Sequence, residues 1–213
     1  MLWSRIGNRK NAAQNNSDSD GQLLERLKRR DEHAFLSLYD RHGQSIYRFL
    51  LLMTGSVAIA EDLTQEAFVV ILNALCSGSF AQFDPEKGTL EGYLLGIARN
   101  LARVERRRAH RTLPLDDIVE TLEGDRLLKT LDALDLLTVR DELRALQQAI
   151  LELPSHYREV VVLCSLQEKT YHEAAALLQC SEGTIASRMN RARALLAARL
   201  RRSAPTNMNA SVT

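Results

Sequence analysis

Arginine is the residue type in this chain whose spacing suggests chemistry. Between Arg99 and Arg111 six arginines stand against one acid, Glu105. Between Glu182 and Arg202 the pattern returns, with Arg188, Arg191, Arg193, Arg199, Arg201 and Arg202 against Glu182 alone. A guanidinium stays charged at any physiological pH and offers planar forks of donors that match phosphate and guanine edges. From Leu115 to Asp135 the sign reverses, with Asp116, Asp117, Glu120, Glu123, Asp125, Asp132 and Asp135 against Arg126 and Lys129. The net charge of +1 conceals this segregation. Two basic blocks parted by an acidic one suggest two polyanion-binding surfaces joined by a segment that polyanions repel.

Catalytic chemistry finds less support. The stretch HEAAA at His172 lacks the second histidine of HExxH, and no GxSxG, Walker-type loop or Cys-His cluster occurs. His172 and Glu173 read as helix surface and cap, and no catalytic residue, metal or cofactor is expected. The three cysteines, Cys76, Cys164 and Cys180, have neither disulfide-framework nor zinc spacing, and read as thiols in a reducing compartment. The first residues lack the apolar core of a signal peptide and no run is long enough to span a membrane, so a cytoplasmic protein is expected.

The elements that must position the arginines are helices. Hydrophobic residues make up 45% of the chain, aromatics only 5%, and there are four prolines, so preference runs to an all-α protein. Residues 1–19 are polar and aperiodic. From Gln22 an apolar stripe of Leu23, Leu27, Phe35, Leu38, Tyr39, Ile46, Phe49 and Met53 predicts helix, with Gly55 as its C-cap. Ala60 to Leu75 predicts a second helix, burying Leu63, Ala67, Val70, Ile71 and Ala74 and turning Glu61, Asp62, Gln65, Glu66 and Asn73 outward. A Gly- and Pro-bearing loop with Phe80 and Phe83 follows. The third helix, Leu90 to Arg108, is expected to bury Leu94, Ile97, Leu101 and Val104 and to line up Arg99, Arg103 and Arg106 opposite. A basic helix beside a loop with aromatic rings suits single-stranded or melted nucleic acid: arginines track phosphate and rings stack on unpaired bases.

After the acidic stretch, a helix carrying Leu143, Leu146, Ile150 and Leu153 ends at Pro154, and another carries Tyr157, Val160, Val161 and Leu163. Thr170 and Glu173 form a capping box, CSEG makes a tight turn, and Ser181 caps the last helix. That layout is a helix-turn-helix. Ile185, Met189, Ala192 and Leu196 recur on one face, which turns Thr184, Ser187, Arg188 and Arg191 outward where a recognition helix meets the major groove. Arg193 and the arginines after it add phosphate attraction.

Three segments together resemble a known family: YDRHGQSIYRFLLLMTGSVAIAEDLTQEAFVVIL, GTLEGYLLGIARNLARVERRRAH, and LPSHYREVVVLCSLQEKTYHEAAALLQCSEGTIASRMNRARALLAARL. In order and separation they are similar to regions 2 and 4 of the extracytoplasmic-function (ECF) sigma factors of bacterial RNA polymerase, over nearly all of Gln22 to Arg202. The resemblance implies two small helical domains: region 2 at 20–112, an acidic linker at 113–138 and a region 4 helix-turn-helix at 139–202, flanked by an extension at 1–19 and a tail from 203. It implies that Glu61, Asp62, Gln65 and Glu66 meet the β′ clamp helices of core RNA polymerase, with the β flap as the second contact. It gives Arg99, Asn100, Arg103, Arg106, Arg107, Tyr93 and Phe83 to the −10 element of promoter DNA, and Thr184, Ser187, Arg188, Arg191 and Arg193 to the −35 element. An anti-sigma factor is the implied regulator. Where the family often carries Trp, Tyr and Arg before the IARN segment, this chain has Tyr93, Leu95 and Gly96.

Two other readings use part of this pattern. A stand-alone regulator with a DNA-binding C-terminal domain leaves the acidic AEDLTQEAF face and the first basic helix unexplained, and an interaction adaptor needs neither arginine row. Core polymerase discriminates: a sigma factor acts through it, whereas a regulator binds its operator unaided.

Overall fold

The computed structural model describes residues 19–29, 31–77, 89–112 and 135–203. Among them are eight α-helices, one π-helical turn and no strand. The loop with Phe80 and Phe83, most of the acidic stretch and both terminal segments lie outside the described residues.

The expected single run from Gln22 to Met53 is two helices, α1 (Asp20–Lys28) and α2 (Glu32–Thr54). The reason is local. Asp31 takes extended backbone, accepts from the His33 N–H as N-cap of α2, and holds the Arg26 guanidinium at 2.8 Å. Ser19 and Gln22 close a capping box on α1. Gly55 ends α2 in the left-handed region, φ 78, and its N–H reaches the Leu51 carbonyl. Ser56 then caps α3 (Val57–Cys76).

These helices and α4 (Leu90–Thr112) form the first domain around Leu23, Leu38, Ile46, Phe49, Leu50, Phe68, Ile71 and Leu94, all fully buried. Phe68 meets Phe35 edge-on at a centroid distance of 6.3 Å and Tyr39 at 4.8 Å. Burying a ring of that size is worth about 1.5–3 kcal/mol. Val70, expected inside, is exposed, because Thr64 and Phe68 turn the buried face of α3 away from it. Thr64 donates its hydroxyl to the Ala60 carbonyl, so its burial leaves no polar atom unmet.

The second domain holds α5 (Asp135–Leu151), α6 (Ser155–Val161), α7 (Tyr171–Leu178) and α8 (Glu182–Ser203). Leu143, expected inside, is partly exposed, and Ala149, Ile150 and Leu153 form the buried end of that segment. A π-turn, Val162–Leu166, continues α6, and the Gln167 N–H reaches the Val162 carbonyl five residues back. Thr170 and Glu173 make both bonds of the expected capping box, and Gln179 closes α7 in the left-handed region. The Glu173 carboxyl is held below its usual range, first by the Thr170 backbone N–H and then by its hydroxyl.

The two domains pack on each other. Arg158 of α6 donates to the Met53 carbonyl at the end of α2, 2.9 Å away, and to the Leu151 and Leu153 carbonyls at the end of α5. One guanidinium thus caps the ends of two helices in different domains. Beside it, a Cβ on Gly55 would come within 3.3 Å of the Leu151 methyls, so this corner is already tight.

Candidate nucleic-acid interface

In α8, Ile185, Met189 and Ala192 are buried as the spacing predicts. That anchors the helix, and Ser187, Arg191 and Arg193 are left exposed, with Thr184 and Arg188 half-buried. Ser181 holds the first turn: its Oγ accepts from the Thr184 N–H at 3.2 Å and lies 2.9 Å from the Thr184 hydroxyl. His172 at the start of α7 faces Glu182 at 2.9 Å across the turn between the two helices. Among the described residues no acid pairs with Arg188, Arg191 or Arg193. Arg199 does not join this row. It donates to the Glu152 carbonyl and pairs with the Glu152 carboxylate at 3.1 Å, fastening α8 to the end of α5.

The α4 row is divided. Arg99 is 14% exposed and pairs with Glu159 of α6, itself 7% exposed, at 3.2 Å. Its other terminal nitrogen donates to the Leu177 carbonyl at 3.3 Å. Arg103 and Arg106 are half-buried, and Arg106 lies close enough to Arg158 for the like charges to interact. Burial first, and that repulsion second, push Arg158 down to about 10. Asn100 and Arg107 are exposed, which fits a position roughly 80–100° round the helix from Arg99. Tyr93 is half-buried, and Phe83 falls outside the described residues.

The buried band of α4 also differs from the expected stripe. Leu90, Leu94, Leu95, Ala98 and Ala102 are buried, whereas Val104 is 58% exposed and Ile97 and Leu101 are partly covered. The band is displaced toward the Arg99 side, the side against which the second domain lies.

On α3, Asp62, Gln65 and Glu66 are exposed and Glu61 half-buried. Val69, 51% exposed, and Val70 continue that face, giving it an apolar strip that the acidic pattern alone did not indicate. Cys164 and Cys180 are free thiols, and burial raises Cys164 above its usual range. Among the described residues no group of three or more His, Cys, Asp or Glu is placed to hold a metal ion.

Residues 38–112 match the family model for sigma-70 region 2, and residues 143–196 match that for sigma-70 region 4. The RNA polymerase sigma-H factor of Pseudomonas aeruginosa is 31% identical over 181 residues, 83% of this chain and 91% of that one. The ECF RNA polymerase sigma factor SigW of Bacillus subtilis is 32% identical over 183 residues, 84% and 95% of the two chains. This chain belongs to the ECF RNA polymerase sigma factors. As a sigma factor it is a transcription initiation factor, of a family that binds core RNA polymerase and promoter DNA. Its fold is similar to that of CnrH, solved in complex with the cytosolic domain of CnrY, with a TM-score of 0.61 and 26% identity over 88% of this chain and 100% of that one. The sigma factor RpoE of Bartonella quintana, solved with the anti-sigma factor NepR, shares the fold at a TM-score of 0.56 and 23% identity, over 78% and 96% of the chains.

Proposed function

We propose that this ECF sigma factor divides promoter reading between α4 and α8. α8 enters the major groove of the −35 element, where Arg188 and Arg191 address base edges, Thr184 and Ser187 hold the backbone, and Arg193 adds phosphate contact. α4 engages the −10 element through Asn100, Arg103 and Arg107, with Arg99 and Arg106 joining once the second domain moves aside. Tyr93 lies on the same helix, and Phe83 belongs to the loop before it. The α3 face of Glu61, Asp62, Gln65 and Glu66, extended by Val69 and Val70, meets the β′ clamp helices, and the second domain meets the β flap. The protein works in the cytoplasm under an anti-sigma factor. The sigma factor RpoE of Bartonella quintana, of similar fold and solved with the anti-sigma factor NepR, supports that last point.

The observation that carries the reading is the arginine row at the start of α8, which has no acidic partner among the described residues and is anchored by the buried Ile185, Met189 and Ala192. Run-off transcription from a promoter library, with purified core polymerase, tests it. The expected result is initiation at a shared −35 and −10 pair only when the protein is added. Tight binding to duplex operators without any association with core polymerase would overturn it.

A further inference from the structure

Between Glu182 and Ser203 a single residue, Asn190, carries a side-chain amide. Asn190 is exposed, and neither end of its amide has a hydrogen-bond partner among the described residues. At about 100° per residue it points about 130° away from the middle of the buried band of Ile185, Met189 and Ala192, whereas Arg188 lies only about 70° from that middle. The coverage of the two side chains follows, with Arg188 half-buried and Asn190 open. Ser187 and Arg191, both exposed, stand on the same outer side, about 60° and 100° round the helix from Asn190. One turn further along that side is the exposed Ala194, whose methyl is too short to screen the amide.

The polar groups of this face are not equivalent as readers. The Ser187 hydroxyl donates to the Thr184 carbonyl at 3.0 Å, and the Thr184 hydroxyl lies 2.9 Å from that of Ser181, so both are engaged within the chain itself. Arginine only donates, which matches the two acceptors of guanine and the oxygens of phosphate. An amide donates and accepts side by side. Adenine, alone among the bases, presents the complementary pair in the major groove, its N7 acceptor beside its N6 amino group. We propose that Asn190 is a specificity-determining residue of α8, its side-chain oxygen accepting from adenine N6 and its amide nitrogen donating to adenine N7 at one position of the −35 element. The inference rests on the reading of α8 as the major-groove helix, and adds to it a base identity that the arginines do not supply. A thymine or cytosine at that position leaves one end of the amide unmet, and a guanine sets an acceptor against the amide oxygen.

The test uses the full chain with purified core polymerase and a promoter library randomised across the −35 element, each template identified by a transcribed barcode. The parent protein is expected to enrich adenine at one position. Asn190→Ala is expected to lose that enrichment by about five- to a hundredfold and to keep the preferences at the other positions. A template with 7-deazaadenine at the same position pairs normally with thymine but lacks the N7 acceptor. It is expected to lower initiation by the parent about three- to tenfold and to leave Asn190→Ala unaffected. Alanine is the better helix former at an exposed position, so helical circular dichroism of Asn190→Ala is expected to match or exceed that of the parent. Adenine enrichment retained by Asn190→Ala, or a parent indifferent to 7-deazaadenine, overturns the inference. A preference lost at a position where the parent selects another base overturns the assignment to adenine. A parent that selects no base anywhere in the randomised stretch overturns the reading of α8 itself, a result seen without any variant and so separable from the others.

Discussion

The helices α4 and α8 carry the same signature in sequence, an apolar face backed by arginines, yet they present it differently. Along α8 Arg191 and Arg193 are exposed and Arg188 half-buried, none of them paired with an acid among the described residues, whereas along α4 one arginine is sealed against Glu159, two are half-covered, and Arg107 and Arg108 are exposed. What differs is the surface opposite, not the helix. The start of α8 has no described acid facing its arginines, while α4 lies beside α6, which supplies Glu159 as partner for Arg99 and Arg158 as repeller for Arg106. A periodic arginine row therefore identifies a polyanion site only together with knowledge of its neighbours.

The sharpest way to break the contrast is at α8. Arg188→Ala and Arg191→Ala should each cost about 1–3 kcal/mol in −35-dependent initiation and relax preference at one base position, read by run-off on promoters varied at that position. An equal loss on every promoter, with no change of preference, would make both residues phosphate contacts instead.

Next in size is the shared cap. Arg158→Met keeps much of the side-chain volume but removes the donors to Met53, Leu151 and Leu153, and should lower the unfolding free energy by about 2 kcal/mol in urea. No change in the midpoint would mean that water serves these carbonyls equally well.

A smaller effect separates positioning from reading within α8. Arg193→Ala should weaken binding of the polymerase complex alike on all promoters and reduce the slope of log affinity against log salt by about one. A change of sequence preference would move Arg193 among the base readers.

The smallest effect belongs to the α1 and α2 contact beneath α4. Burial pushes His42 below its ordinary 6.5, against the opposing pull of Asp20 and Glu91, while Arg41 acts with burial. The native state therefore holds His42 neutral over a range in which the unfolded chain binds a proton. Stability is full above the unfolded value and declines as pH falls through that value toward the folded one. His42→Gln should flatten the urea midpoint between pH 7 and 5, and an unchanged slope would rule His42 out as its source.

Much of this arrangement was legible in the residues. Capping and turn signals are local, so Thr170 with Glu173, Gly55 and the Ser181 turn could be placed from spacing alone, as could the buried face of α8. The α1–α2 break carried a signal too: Asp31 followed by Glu32 is a start signature, masked because the apolar stripe continues across it with nearly the right phase. The burial of Arg99 and the displaced band on α4 had no local signal. They depend on residues some sixty positions away, and pairing at that distance is set by how two domains dock, which periodicity does not encode. The π-turn was equally hidden, because VVVLCSL reads as an ordinary buried run. The exposed Val69 and Val70 could have been suspected, since Thr64 and Phe68 compete with them for the interior.

The tie between Arg199 and Glu152 has a mechanical consequence. α8 is roughly 33 Å long at 1.5 Å per residue, and its far end is bolted to the last turn of α5, the helix that receives the chain from residues 113–134. On the proposed reading of α8, the turn that meets bases lies at the opposite end of that rod from the Glu152 tie, so the helix is held by its handle and not by its tip.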